Sequence, residues 1–146
     1  MKFRLVIDKA KDEEILATVH ECTHLIEEIE SLVNTSEHPT QINGYGEDDI
    51  KVLNITQIES VYVEDGKTYA LYFDGNVYRL KNRLYEIEEI LPPEFVRINK
   101  SAIANKKRIK RFKTQLTGAV DIEFKSGKTD YVSRRCFAEL RKEYGI

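Results

Sequence analysis

The sequence has 146 residues, of which 41% are hydrophobic and 33% are charged, and its net charge is -2 at pH 7. This composition is typical of a folded globular protein and excludes a disordered chain. No apolar run approaches the roughly 18 residues that span a bilayer, and residues 1–8 do not resemble a secretory signal. We therefore expect a cytoplasmic protein made of one domain, or of one domain with a small addition.

The charges are distributed unevenly along the chain. Residues 1–50 carry a net charge of -8, residues 51–94 carry -3 and residues 95–146 carry +9. Such an asymmetry suggests that the basic end binds nucleic acid or another anionic partner. The two cysteines, Cys22 and Cys136, lie far apart without a C-x-x-C pattern, so we interpret them as reduced thiols and not as a metal site.

The N-terminal part predicts one strand followed by one long helix. Residues 2–7 alternate in the manner of a short strand, and residues 13–33 place apolar side chains three and four apart, as a helix of five or six turns does. His20 and His24 have the spacing of a metal pair on this helix, but no third ligand is evident. The apolar stripe of the helix is expected to pack on a strand or on a second copy of itself.

Residues 34–49 contain Pro39, Gly44 and Gly46 among polar residues, and they predict a linker or a hairpin region at a domain boundary. Beyond it the pattern changes to short strands. Two Asp-Gly dipeptides, at residues 65–66 and 74–75, are strong hairpin signals. The predicted strands are residues 50–55, 58–63, 68–73, 76–80, 118–124 and 129–132. A short helix capped by Asn82 and a terminal helix capped by Ser133 complete the prediction of a mainly β fold.

The stretch of residues 95–112 holds seven cations and no acidic residue. Its apolar spacing is too irregular for one amphipathic helix, and Asn99 and Asn105 favour turns. We expect a strand at residues 95–98, a turn at residues 101–105 and a second strand at residues 109–112, so that a basic loop is held between two strands. Lysine and arginine in such a loop attract phosphate, although a solvated basic turn is the simpler alternative.

Several motifs in order give the chain a family resemblance. They are I-x-x-I-x-x-V-Y-V-E-D-G-K-T-Y at residues 55–69, Y-R-L-K-N-R-L-Y-E-I-E-E-I-L at 78–91, P-x-F-V-R-I-N-K-S-A-I-A-N at 93–105 and V-S-R-R at 132–135. Residues of about 50 to 146, some two thirds of the chain, resemble a LytTR DNA-binding domain of bacterial regulators. The third motif is the most specific, because the family has F-x-R-x-H/N-x-S there with an Asn shortly after.

The resemblance implies an elongated β fold that inserts loops, and not a recognition helix, into successive major grooves of duplex DNA. Its three loops match Lys67, Thr68 and Tyr69; a second segment that ends at Asn105; and Arg134 with Arg135. Tyr69 departs from the polar or ionisable residue that is frequent in the family, and Asn99 replaces the more common His. The predicted DNA-binding residues are Lys67, Thr68, Tyr69, Asn99, Lys100, Asn105, Lys106, Lys107, Arg108, Arg134 and Arg135.

The resemblance also bears on organisation and partners. Residues 1–49 are too few for the phosphoacceptor receiver that many members carry, so the chain resembles stand-alone LytTR regulators, which are often encoded beside a small inhibitory membrane protein. We divide it into an N-terminal strand-helix extension, residues 1–49, and a DNA-binding domain, residues 50–146. The predicted helix of the extension is a candidate for dimerisation or for inhibitor docking. A homodimer, at least on DNA, is expected.

Two classes of function remain open. The first is a sequence-specific regulator that binds duplex DNA at repeated sites, and the second is a protein-binding adaptor whose basic face docks an acidic partner. An enzyme is the weakest class, because the chain offers no catalytic Ser/His/Asp set, glycine-rich phosphate loop or paired carboxylates in a cleft. No cofactor is expected.

Overall fold

The protein, described here from a computed structural model that covers residues 1–36 and 38–146, consists of two units, Met1–Val33 and Asn34–Ile146. The first unit contains most of helix α1, His24–Ser36, whose last three residues belong to the second unit. The first hydrogen bond of α1 runs from the N–H of Glu27 to the carbonyl of Thr23 over 3.1 Å. Within the described residues that precede α1 there is neither strand nor helix. The strand predicted at residues 2–7 is therefore wrong, and the helix predicted from residue 13 begins eleven residues later.

The late start of α1 has a local reason. Thr18, Val19 and Thr23 are β-branched, and His20 and Cys22 have weak helix propensity, so the segment between Ala17 and the helix disfavours helical turns. The apolar periodicity that predicted the longer helix therefore lacks support from the backbone preferences of these residues. His20 lies before α1 and His24 is its first residue, so the pair does not share a helix.

The second unit contains ten strands and two helices. The strands are β1 Gln41–Tyr45, β2 Ile50–Asn54, β3 Ile58–Glu64, β4 Lys67–Tyr72, β5 Val77–Leu80, β6 Phe95–Asn99, β7 Ala102–Asn105, β8 Ile109–Thr114, β9 Val120–Phe124 and β10 Thr129–Val132. The helices are α2 Leu84–Ile90 and α3 Arg134–Tyr144, and single 3-10 turns occupy Ile55–Gln57 and Lys106–Arg108. None of the helices in the described ranges is long and apolar enough to cross a membrane.

The strands form two antiparallel sheets. The larger has the order β2-β1-β5-β4-β3-β7-β6, and the smaller has the order β10-β9-β8. Asp65 and Gly66 both have positive φ, 50° and 72°, at the turn between β3 and β4. Only a turn of the primed type combines these angles with a tight antiparallel pair, which is why the first Asp-Gly dipeptide predicted its hairpin correctly.

Two hydrophobic clusters lie on opposite faces of the larger sheet. On one face α2 contributes Leu84 and Ile87 to a cluster with Leu53, Ile58 and Val61. On the other face the smaller sheet and α3 cover the large sheet through a second set of side chains, which includes Leu71, Ile98, Ala104, Ile122, Phe124 and Leu140. The smaller sheet and the terminal helix are therefore held against the β3, β6 and β7 side of the large sheet.

The mainly β prediction is confirmed, with differences in detail. The region assigned to a linker or hairpin contains β1, which pairs with β2 from Gln41–Asn54 to Tyr45–Ile50. Arg83, and not Asn82, occupies the N-cap position of α2. The turn predicted at residues 101–105 is also wrong, because four buried residues there form β7 between β3 and β6. Ser133 caps α3 as expected, by accepting a 3.2 Å hydrogen bond from the N–H of Cys136.

Candidate nucleic-acid interface

Three connecting segments meet at one end of the large sheet. They are the β3–β4 turn, the β6–β7 turn and the start of α3, and each presents exposed cations. We call their four cations the basic edge: Lys67, Lys100, Arg134 and Arg135. None of the four forms an ion pair with the part of the chain that the structure describes. Their charge is therefore available to a partner.

Backbone hydrogen bonds hold the three segments together. The N–H of Val63, at the end of β3, donates to the carbonyl of Ser101 in the β6–β7 turn over 2.8 Å. The N–H of Ser133 donates to the carbonyl of Ile98 over 2.8 Å and so attaches the start of α3 to the same hairpin. Val63 also pairs with Thr68 of β4. These hydrogen bonds fix the positions of the three segments of the basic edge relative to one another.

Asn99 organises the centre of this end and is only 3% exposed. Its side-chain Nδ2 donates to the carbonyl of Tyr131 over 2.9 Å and lies 3.4 Å from Oδ1 of Asp130. Its Oδ1 accepts from the N–H of Ser101 over 2.8 Å. Both ends of the amide are thus hydrogen-bonded within the protein, so Asn99 links the β6–β7 turn to β10. The DNA contact predicted for Asn99 stays a prediction.

Asp130 lies next to Asn99, and its side chain is half-buried. Its Oδ1 accepts a 2.8 Å hydrogen bond from the N–H of Tyr131. Burial raises the pKa of Asp130 above its ordinary value, against the opposite effects of the Tyr131 N–H and the Asn99 amide. The carboxylate therefore carries a desolvation cost when it is ionised.

Thr68 and Tyr69, which follow the β3–β4 turn, pack within the fold and are not exposed side chains. Thr68 is 7% exposed, and the ring of Tyr69 stacks on that of Tyr62 on the neighbouring strand, with 5.7 Å between centroids. Burial, followed by the nearby charge of Glu64, raises the pKa of Tyr62 above its ordinary value. Of the three predicted residues of this loop, Lys67 is the one that is exposed.

Arg134 and Arg135 form the first turn of α3 and are both exposed. The N-terminus of a helix carries a partial positive charge, which disfavours two cations and favours an anion. The same turn therefore combines the positive end of a helix with two exposed guanidinium groups. This arrangement suits phosphate or a guanine edge.

The structure places the other predicted residues of the basic stretch at the opposite end of β7. Asn105 is 1% exposed, and its Nδ2 donates to the carbonyl of Ile58 over 3.0 Å. Its Oδ1 accepts from the N–H of Lys107 over 3.0 Å and caps the 3-10 turn. Asn105 is therefore buried framework, and a base contact predicted for it would require it to leave the core.

Two of the three cations in this 3-10 turn are engaged within the protein. Lys106 Nζ lies 2.6 Å from the carboxylate of Glu143. Arg108 donates from Nε to Oε2 of Glu59, which is completely buried, over 3.2 Å. Only Lys107 of the turn is exposed. The basic stretch thus divides into an available end at Lys100 and a largely neutralised end at the 3-10 turn.

Two carboxylates that support this region, Glu59 and Asp130, were not predicted from the sequence. Oε2 of Glu59 also accepts from the N–H of Ser126 over 3.2 Å, which links β3 to the β9–β10 turn. Neither residue shows a motif. The available signal for Glu59 was an acidic residue beside the apolar residues Ile58 and Val61 of a predicted strand, because a carboxylate that becomes buried in a folded protein requires a partner.

Comparisons with known proteins agree with this geometry. A family model described as the LytTr DNA-binding domain matches residues 48–145. Proteins of Staphylococcus aureus strains MSSA476 and MRSA252, each described as an uncharacterized HTH-type transcriptional regulator, are 28% identical over 148 residues, which cover 100% of this chain and 99% of the relative. A LytTr DNA-binding domain of a putative methyl-accepting/DNA response regulator from Bacillus cereus has a similar fold. Its TM-score is 0.67 at 22% identity, over 74% of this chain and 99% of that one.

Proposed function

Because this chain belongs to the LytTR DNA-binding domain family, it is a DNA-binding transcription regulator, and we propose that it recognises specific sequences in double-stranded DNA through the basic edge. The observation that carries this proposal is that three hydrogen-bonded segments bring together four exposed cations, none of which is ion-paired with a residue that the structure describes. Helices α2 and α3 are separated by five strands. A loop-based contact is therefore favoured over the paired helices of a helix-turn-helix.

The cations of the basic edge divide into two roles. Arg134 and Arg135 present planar donors at a helix start and are suited to a bidentate contact with guanine O6 and N7 in the major groove. Lys67 and Lys100 are flexible single charges and are suited to phosphate contacts on either side. Lys107, at the far end of β7, is a candidate for an outlying phosphate contact.

The remaining predicted residues have supporting roles in this proposal. Thr68 and Tyr69 hold the first loop, and Asn99 fixes the spacing between the hairpin and α3. Asn105 caps the 3-10 turn, while Lys106 and Arg108 are held by their carboxylate partners. Removing any of them would alter DNA binding through the fold and not through a lost contact.

The further features of the proposal concern organisation. We propose residues 50–146 as the DNA-binding domain and residues 1–49 as a regulatory extension that serves dimerisation or inhibitor docking. Two copies would bind two repeated sites and bend the DNA between them at an energetic cost of a few kcal/mol. A DNA partner in a bacterium implies a cytoplasmic protein, and the basic edge has no proposed catalytic role.

The experiment that tests the proposal is selection of bound duplexes from a random pool at a stated salt concentration near physiological. The selected duplex is then titrated beside a scrambled duplex of equal length and composition. We expect one repeated motif, with a preference of roughly a thousandfold or more over the scrambled control. Equal, weak and salt-sensitive binding to both duplexes would contradict sequence recognition and would favour an acidic protein as the partner.

A further inference from the structure

The unit Met1–Val33 has no buried core of its own. All of its residues are exposed except Ile26, Ile29 and Val33, which are half-buried. Its exposed large apolar side chains are Met1, Phe3, Leu5, Val6, Ile7, Ile15, Leu16, Val19, Leu25 and Leu32. Scattered exposed apolar residues are ordinary, but such a concentration in one short segment marks an interaction surface.

Helix α1 contributes an ordered face to this surface. Leu25, Ile26, Ile29 and Leu32 follow the three-and-four spacing of one helical stripe. Leu25 and Leu32 are 49% and 70% exposed, so the stripe is not covered along its whole length. The exposed residues Glu28 and Glu30 lie on either side of the stripe, which gives α1 an apolar face with acidic borders.

The charges of the unit divide sharply at a turn. Oδ1 of Asp8 accepts from the N–H of Ala10 over 3.0 Å, and its carbonyl accepts from the N–H of Lys11 over 3.3 Å. We call residues 1–11 the basic arm, because they carry four lysines and arginines and one aspartate. Residues 12–33 carry seven acidic residues and neither lysine nor arginine. The four cations of the basic arm form no ion pair with the residues that the structure describes.

We infer that two copies of this chain associate through the unit Met1–Val33, with the basic arm of each copy lying on the acidic-bordered apolar face of α1 in the other. Apolar side chains alternate with Lys2 and Arg4 in the arm, so one surface of an extended arm can bury Phe3 and Leu5 while the cations reach carboxylates. A two-fold axis makes this contact twice. The inference rests on the proposed pairing of two copies and names the surface that forms it.

A second copy fits better than an unrelated partner because each copy presents two complementary surfaces, the basic arm and the acidic-bordered face of α1. The arm supplies positive charge and exposed apolar side chains, and α1 supplies negative charge and an apolar stripe. When two identical chains exchange arms, the basic arm and the acidic-bordered face of α1 are both covered in each copy. A partner with only positive or only negative charge would cover only one of these two surfaces. Added salt should weaken the pairing, since its charges lie at the surface.

The test measures molar mass by size-exclusion chromatography with light scattering, on the full chain without DNA. One variant reverses the arm, K2E/R4E/K9E/K11E, and another reverses the helix, E27K/E28K/E30K. A matched control, K125E/K128E, reverses exposed lysines of the other unit. We expect the mass of two copies for the wild type and the control, the mass of one copy for each reversed variant alone, and the mass of two copies again when the reversed variants are mixed.

Several outcomes would overturn the inference. They are a single-copy mass for the wild type, a two-copy mass for both reversed variants, or a mixture that stays at the mass of one copy. Unchanged thermal unfolding of each variant shows that the second unit is intact, because the substituted residues lie outside its two hydrophobic clusters. The mass measurement contains no DNA, so a result against pairing says nothing about DNA recognition. The duplex selection tests DNA recognition separately.

Discussion

Asn99 connects two of the three segments of the basic edge through one side chain, because its Nδ2 donates to the carbonyl of Tyr131 over 2.9 Å while its Oδ1 accepts from the N–H of Ser101. Lys100 lies between the two hydrogen-bonded residues of the hairpin, and Arg134 begins the helix that follows Tyr131 by three residues. The spacing of these two cations therefore depends on a buried amide that is hydrogen-bonded within the protein.

Asn99→Ala should lower both stability and DNA affinity. The substitution leaves the carbonyl of Tyr131 and the N–H of Ser101 without these partly buried hydrogen bonds, at a cost of about 1 to 3 kcal/mol in the free energy of unfolding. Chemical denaturation measures this loss directly. Asn82→Ala, at an exposed position outside the basic edge, is the matched control, and an equal effect of the two substitutions would contradict the framework role of Asn99.

Arg108→Ala should destabilise the fold because it leaves the buried carboxylate of Glu59 without its guanidinium partner. Removing one member of a buried ion pair typically costs about 3 to 5 kcal/mol, and the partial exposure of Arg108 places the expected loss at the lower end. Thermal unfolding beside Lys107→Ala, which removes the exposed neighbouring cation, measures the difference. A variant as stable as Lys107→Ala would show that the pair contributes little.

Lys67→Ala and Lys100→Ala should weaken binding to all duplexes about equally and reduce the salt dependence of affinity. Each lost phosphate contact lowers the slope of log K against log salt by about one. Titration of the selected and scrambled duplexes over a series of salt concentrations gives this slope. A loss confined to the selected duplex would instead assign a base contact to the lysine concerned.

Asp130→Asn should make stability less dependent on pH. Burial raises the pKa of Asp130 in the folded state, so the folded protein binds this proton more tightly than the unfolded chain does. Its contribution to stability is therefore complete below the unfolded pKa, about 3.9, and is lost as the pH rises through the raised folded value. An Asn oxygen still accepts from the N–H of Tyr131.

Denaturation of the wild type and Asp130→Asn at a series of pH values tests this sign. The variant should gain stability relative to the wild type as the pH rises from acid to neutral. A stability difference that stays constant, or that reverses with rising pH, would show that the burial of this carboxylate is not the governing effect.

The second unit was predictable from sequence wherever a local rule dominates. The Asp-Gly turn at residues 65–66 requires positive φ, and Ser133 supplies a side-chain cap, so both signals act within a few residues. Strand β7 gave no such signal. Its sequence Ala-Ile-Ala-Asn has weak strand preference, and it is a strand because β3 and β6 pair with it on both sides. Long-range pairing of this kind overrides local propensity.

The functional site shows the same limit. The sequence identified the basic stretch and the V-S-R-R motif, and their cations Lys100, Arg134 and Arg135 are exposed residues at one end of the large sheet. It could not separate Lys100 from Lys106 and Arg108, because this requires knowing that β7 lies between them and that Glu143 and Glu59 neutralise the far end. Similarly, the polarity of Asn105 suggested a base contact, whereas only the fold shows that its amide is used by Ile58 and Lys107.

The measurement that tests the central claim most directly is the affinity of Arg134→Ala and Arg135→Ala for the selected and the scrambled duplex at one salt concentration. Lys142→Ala, which removes an exposed cation from the other end of α3, is the matched control. We predict that at least one arginine variant loses about 1 to 3 kcal/mol of preference for the selected duplex, while the control keeps it. Full sequence preference in both arginine variants would contradict recognition through the basic edge.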